Sequence, residues 1–176
     1  FESVMSDYDI YLQFGSLLGA IRERNLIGGD YDIDVCYMSH FHTMPEIVQE
    51  AKDLKVRLHK LGILDKHFDK SMQGVPPEQE VEPFGQFHVN GGSMIIDLFT
   101  SWIDENGDYW TCQWGNFGKA DQFFPLSEGK LCDFTFKVPQ NSELILARLY
   151  GEDWRTPRSD YPGNHVPGGR RNYLYC

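Results

Sequence analysis

No apolar stretch of this 176-residue chain approaches the roughly 18 residues that a membrane-spanning helix needs. It also has no C-x-x-C pair. Cys36, Cys112, Cys132 and Cys176 stand far apart, which argues against a zinc knuckle, and spacing alone assigns no disulfide. No N-x-S/T sequon occurs, and this disfavours a glycosylated secretory product. Basic residues are scarce: 16 Lys and Arg face 26 Asp and Glu, for a net charge of -10. Duplex nucleic acid, which proteins grip chiefly through Lys and Arg, is therefore a poor candidate for the main partner. An acidic protein can still handle an anionic substrate if a divalent cation lies between the two. The arginines that exist are concentrated late. Arg148, Arg155, Arg158, Arg170 and Arg171 outnumber Glu152, Asp153 and Asp160 in the same stretch.

What is present is a folding composition, with 41% hydrophobic and 14% aromatic residues, enough for one domain with a real core. The chain starts at Phe1 and enters a predicted strand almost at once, so residues 1–176 read as a single domain excised from or trimmed within a longer chain. Asp9 to Phe14 reads as a short strand that Gly15-Ser16 breaks, and Leu17 to Arg24 as a helix. Gly28-Gly29 signals a turn. Asp30 to Tyr37 alternates, with Asp30, Asp32 and Asp34 on one face and Tyr31, Ile33 and Val35 on the other. Thr43 to Leu61 is the clearest helix: Thr43 as N-cap, Pro45 in the first turn, Gly62 as terminator, and a stripe of Ile47, Ala51, Leu54, Leu58 and Leu61. Ser71 to Pro83 reads as a surface loop. Phe84 to Val89 and Met94 to Phe99 form a hairpin around Asn90-Gly91-Gly92. Aromatic-rich loops are expected up to Phe124, a helix from Asn141 to Tyr150 ending at Gly151, and an irregular tail from Pro157. The pattern predicts an α/β fold, a mixed sheet flanked by helices with the carboxylates at one edge of a cleft.

The chemistry lies in the acidic strand. Transfer of a phosphoryl-linked group needs diphosphate charge neutralised and the leaving oxygen held in line. Magnesium does this with a few carboxylates plus substrate phosphates. Carboxylates at i and i+2 of one strand project side by side and can share one ion or bridge two. Asp97, the lone acid of the apolar run MIIDLF, is the candidate third carboxylate, as a metal ligand or as the base for an attacking hydroxyl. An isolated D-x-D is often only a solvated face. Three aspartates in alternation repel one another unless a cation compensates them, and this favours a metal site.

The run Phe14-Gly15-Ser16-Leu17-Leu18-Gly19-Ala20-Ile21-Arg22, then Leu26-Ile27 and Asp30-Tyr31-Asp32-Ile33-Asp34, resembles the signature of the LicD family, which includes the fukutin and fukutin-related proteins. Leu149-Tyr150-Gly151-Glu152-Asp153-Trp154-Arg155-Thr156-Pro157 is similar to that family's closing segment. The resemblance implies a nucleotidyltransferase-like fold and a Mg2+-dependent enzyme, with Mn2+ as the alternative ion. Such an enzyme moves a phosphorylated alcohol, ribitol phosphate or phosphocholine for example, from a CDP-alcohol donor to a glycan or glycolipid acceptor and releases CMP. It further implies that Gly15 and Ser16 turn against the nucleotide phosphates, that Arg22 anchors a phosphate or a loop, and that Asp30, Asp32 and Asp34 bind metal. Gly28-Gly29 departs from the Pro-Trp that members usually carry before the acidic strand.

Other residues have blander readings. Arg155 and Arg158 follow a helix end that favours cations, and both are candidates for substrate phosphate. His40 and His42 read as loop residues, His88 as a structural histidine on a strand, and Asp104 to Asp108 as a turn rather than a calcium loop. Two other functions stay open. One is nucleotidyl transfer from a nucleoside triphosphate; the other is an inactive glycan-binding domain using Trp102, Trp110 and Trp114. The lack of sequons favours a bacterial cytoplasmic enzyme of cell-wall or capsule biosynthesis over one of the Golgi lumen.

Overall fold

The acidic strand sits inside a mixed sheet. In the computed structural model, residues 5–28, 30, 32–64, 86–90 and 94–157 are described. The predicted loop at Ser71 to Pro83, the hairpin glycines Gly91 and Gly92, Gly29, Arg158 and the tail lie outside them. Chain order runs β1 (Ile10–Leu12), α1 (Phe14–Leu18), a π-helical turn (Gly19–Glu23), β2 (Asp32–Met38), α2 (Met44–Lys60), β3 (Gln86–Asn90) and β4 (Ile95–Ile103). It continues with β5 (Asp108–Thr111), β6 (Gly115–Lys119), a 3-10 turn (Ala120–Gln122), β7 (Leu126–Leu131), β8 (Phe134–Pro139) and α3 (Ser142–Tyr150). Strands β1, β2, β4, β5 and β6 lie in that order, β3 also pairs with β4, and β7 and β8 form a separate two-stranded ribbon. The β2–β4 pair is parallel; the other pairs are antiparallel. This is the expected mixed α/β arrangement, with α1, α2 and α3 as the flanking helices.

Strand β2 lies between β1 and β4, and its second half shows the effect. Val35, Cys36 and Tyr37 are buried in succession, as befits a strand covered on both faces, whereas the first half carries the acids. Helix α2 packs Ile47, Ala51, Leu54 and Leu58 into the core. Leu61, predicted as the next member of that stripe, is instead the C-cap residue and is 52% exposed. The helix ends because Gly62 takes φ +66, with Gly62 N–H donating to the His59 carbonyl (2.8 Å) and Ile63 N–H to that of Leu58 (3.4 Å), a Schellman motif. Thr43 stands at the N-cap, but its hydroxyl donates to Glu46 rather than capping a backbone amide.

Three expectations need correction. The chain does not break at Gly15-Ser16: β1 stops at Leu12, and both residues lie within α1. The reversal is made by Phe14, whose backbone adopts a left-handed φ of 49 while its ring packs edge-on against Phe99 at 4.9 Å. The helix predicted to run through Arg24 widens into a π turn at Gly19, where a Cβ would stand 2.4 Å from the Asn25 carbonyl oxygen. The supposed aromatic loops hold β5 and β6, whose alternation is obscured by glycines and by a register shift between Tyr109 and Trp110. The β7–β8 ribbon was not foreseen. Its Leu131-Cys132-Asp133-Phe134 turn carries positive φ at a cysteine, with none of the glycine that usually announces such a hairpin.

Candidate metal centre

Two parallel neighbours, β2 and β4, are registered so that Asp34 lies opposite Asp97. The period of two along a strand puts Asp32 on the same face as Asp34. One oxygen from each of Asp32, Asp34 and Asp97 lies within 4.8 Å of the others. No other such cluster of three metal-ligating side chains occurs among the described residues.

The Gly-Ser pair holds this arrangement from below. Gly15 N–H donates to Asp34 Oδ2 at 2.9 Å, Ser16 Oγ accepts the Asp34 N–H at 2.9 Å, and Gln13 N–H donates to the Asp34 carbonyl at 3.1 Å. Asp34 is thus fixed at both its backbone and its carboxylate. Gly15 is needed for space: a Cβ would lie 3.0 Å from Asp30 Oδ2 and 3.1 Å from Asp34 Oδ2. Asp30 therefore reaches the same locus, although its backbone belongs to the turn before β2, where its N–H donates to the Ile27 carbonyl at 3.0 Å.

Electrostatics point the same way. The Asp34 carboxyl is raised from 3.8 to about 8, chiefly by burial and further by the charges of Asp32, Asp97 and Asp30, with the Gly15 N–H opposing. On its own the pocket would hold a proton at neutral pH. A divalent cation removes that frustration, and an all-oxygen, carboxylate-rich donor set suits a hard ion such as Mg2+ or Mn2+. The residues present fit such an ion.

The sequence marks His88 only as a structural histidine on a strand. The hairpin pairs it directly with Asp97, and its Nδ1 lies 2.7 Å from Asp97 Oδ1. The signal was latent in the hairpin register, since pairing Asn90 with Ile95 puts His88 opposite Asp97.

The arginines go elsewhere. Arg22 Nη1 donates to the Trp154 carbonyl at 3.2 Å and Nη2 to Glu23 at 2.6 Å, so Arg22 anchors the closing segment to the π turn. Arg155 lies over the buried Trp154 ring at 4.3 Å and pairs with Glu143 at 2.6 Å. These contacts do not join either arginine to the carboxylates. His40 bonds Glu50 (2.7 Å) and His42 the Ile103 carbonyl (2.7 Å), which accounts for both without a metal. Asp104 accepts the N–H groups of Asn106 and Asp108 and the Trp110 indole N–H, so it builds a turn. Trp102 is buried and stacks on Trp110, and Trp110 and Trp114 both pack against the core.

Comparison with known families gives the chain its family. The model of the LicD/FKTN/FKRP nucleotidyltransferase domain matches residues 7–141, about three quarters of the chain, a span within which all four aspartates lie. The chain belongs to the LicD/FKTN/FKRP family. A search among curated proteins finds no match. Membership of the LicD family supports a phosphotransferase-like role, a transferase of phosphate-containing groups. The LicD match ends before the closing segment that Arg22 anchors. Among the described residues, no helix is long and apolar enough to cross a membrane.

Proposed function

We propose that this domain transfers a phosphorylated alcohol, a polyol phosphate such as ribitol phosphate or else phosphocholine, from a CDP-activated donor to a hydroxyl of a glycan or glycolipid. The observation that carries the reading is the convergence of Asp32, Asp34 and Asp97 within 4.8 Å around a carboxyl that burial makes costly to ionise. Asp32, Asp34 and Asp97 would hold Mg2+ or Mn2+, with Asp30 beside them. The ion, when bound, neutralises the donor diphosphate and stabilises departing CMP.

The residues have distinct tasks. The acceptor oxygen bonds to the distal phosphorus, its proton passes to a carboxylate of the cluster, and the bond from that phosphorus to the bridging oxygen breaks to leave CMP. Gly15 keeps the space between Asp30 and Asp34 clear, and Ser16 fixes the backbone of Asp34. Arg22 sets the closing segment in place. Arg155 and Arg158 are assigned to the donor diphosphate or an anionic acceptor. For Arg155 this means exchanging its pair with Glu143, an exposed contact worth about 0–1 kcal/mol. The absence of sequons supports action in a bacterial cytoplasm on a cell-wall or capsule glycan rather than in a Golgi lumen.

The test is thermal stabilisation by CDP-ribitol, CDP-glycerol, CDP-choline, CTP and ATP, each with and without Mg2+, in wild type, Asp32→Ala and Asp34→Ala. A ligand of the folded state raises stability with its concentration over its Kd. One CDP-alcohol should stabilise wild type only with Mg2+, and neither variant. Stabilisation by CTP or ATP alone would replace this reading with nucleotidyl transfer from a triphosphate. Binding of nothing would favour the glycan-binding alternative, from which the packed positions of Trp102 and Trp110 already withdraw an exposed aromatic platform.

A further inference from the structure

Three neighbouring strands carry a continuous polar row across the sheet: Asp34 on β2, Asp97 on β4 and His88 on β3, each opposite the next. Asp97 is the middle member. On one side lie the carboxylates of Asp34 and Asp32, which repel it; on the other the His88 imidazole stands 2.7 Å from its Oδ1. The His88 and Asp97 side chains are only 26% and 13% exposed, so water competes weakly for this contact. A metal-ligating carboxylate only accepts hydrogen bonds, so with Asp97 in that role Nδ1 would be the ring nitrogen that donates.

We infer that His88 is a positioning residue for Asp97, holding its carboxylate turned toward Asp32 and Asp34 in the geometry that takes the metal. The inference rests on the metal-centre reading above and extends it to the strand behind. The physical need is specific. A carboxylate beside two others lowers its energy by rotating away from them, and a donor on its far side removes that freedom. The contact comes from cross-strand pairing in a hairpin, so the donor is fixed by the backbone of β3 rather than by a mobile loop. Hydrogen-bond partners of metal ligands, when lost, typically cost about 10- to 100-fold in metal affinity or activity.

The experiment is a Mn2+ titration, read by the electron paramagnetic resonance of free Mn2+, on wild type, Asp97→Asn, His88→Phe and His88→Asn. Phe keeps a ring on the strand and removes the donor; Asn returns an N–H near the place of Nδ1. Wild type should bind Mn2+ and Asp97→Asn should not. His88→Phe should bind about 10- to 100-fold more weakly, and His88→Asn should recover most of the loss. Melting of each variant in EDTA identifies a folding defect, and if Phe prevents folding, His88→Ala takes its place. Unchanged affinity in His88→Phe, with Asp97→Asn still defective, overturns the positioning role and leaves the metal centre standing. An equal loss in His88→Phe and His88→Asn overturns it too, because a donor would then not be what matters. No Mn2+ binding by wild type refutes the metal centre itself, and the positioning role with it.

Discussion

Replacing Asp34 with Asn should make the metal-free protein more stable, although it removes the residue at the heart of the site. The unfolded carboxyl releases its proton near 3.8 and the folded one near 8, so the native state holds an extra proton between those values and loses stability as pH rises through the window. Each pH unit within it costs about 1.4 kcal/mol, on the order of 4 kcal/mol by pH 7. Side-chain movement and water entry reduce such penalties, so about 2 kcal/mol is the expected gain for Asp34→Asn. Asparagine can still accept the Gly15 N–H with its amide oxygen and offers its NH2 group toward Asp32, Asp97 and Asp30. In a chain of this size the gain corresponds to roughly 4–8 °C in Tm. The assay is urea or thermal unfolding in EDTA at pH 5, 7 and 8, followed by tryptophan fluorescence. Wild type should weaken steadily across that range while Asp34→Asn changes much less. Adding Mg2+ should reverse the ranking, because wild type gains a ligand and the variant does not. Equal or lower stability of Asp34→Asn in EDTA at pH 8 would refute the claim that this carboxyl is held at an unfavourable ionisation.

Further substitutions probe the supports. Gly19→Ala drives a Cβ to 2.4 Å from the Asn25 backbone oxygen and should cost about 2–4 kcal/mol in denaturant unfolding, with no dependence on Mg2+. Gly15→Ala meets two carboxylates rather than backbone, so it should leave the metal-free fold nearly intact and instead weaken Mn2+ binding measured by calorimetry. Arg22→Ala should cost about 1–2 kcal/mol by freeing the Trp154 carbonyl, and should increase proteolysis within residues 151–157 ahead of the rest of the chain. Leu58→Ala, fully buried in the core, should cost about 3 kcal/mol without altering metal affinity relative to the folded fraction.

What the sequence disclosed follows from where local chemistry decides structure. The alternation of Asp32 and Asp34, the lone acid at Asp97, the α2 stripe and its glycine stop are local signals that the fold obeys. Each is set by a period or by a backbone angle only glycine takes easily. The details that were missed depend on contacts distant in sequence. Phe14 accepts a left-handed backbone because Phe99 packs against its ring, so Gly15 is left for its close approach to two carboxylates. Strands β5 and β6 are hard to read because a bulge interrupts their alternation and the glycines of β6 blur it. Arg22 was legible as a functional candidate but its partner was not, since the Trp154 carbonyl lies 132 residues away. His88 needed only the hairpin register, yet a histidine on a strand carries no local mark of its neighbour.

The measurement that bears most directly on the central claim is anomalous scattering from crystals soaked with Mn2+ and CDP. The account predicts a peak bounded by carboxylate oxygens of Asp32, Asp34 and Asp97, with a diphosphate oxygen of CDP completing the coordination. CDP bound with no Mn2+ at these three residues, or Mn2+ held by other side chains, would contradict it.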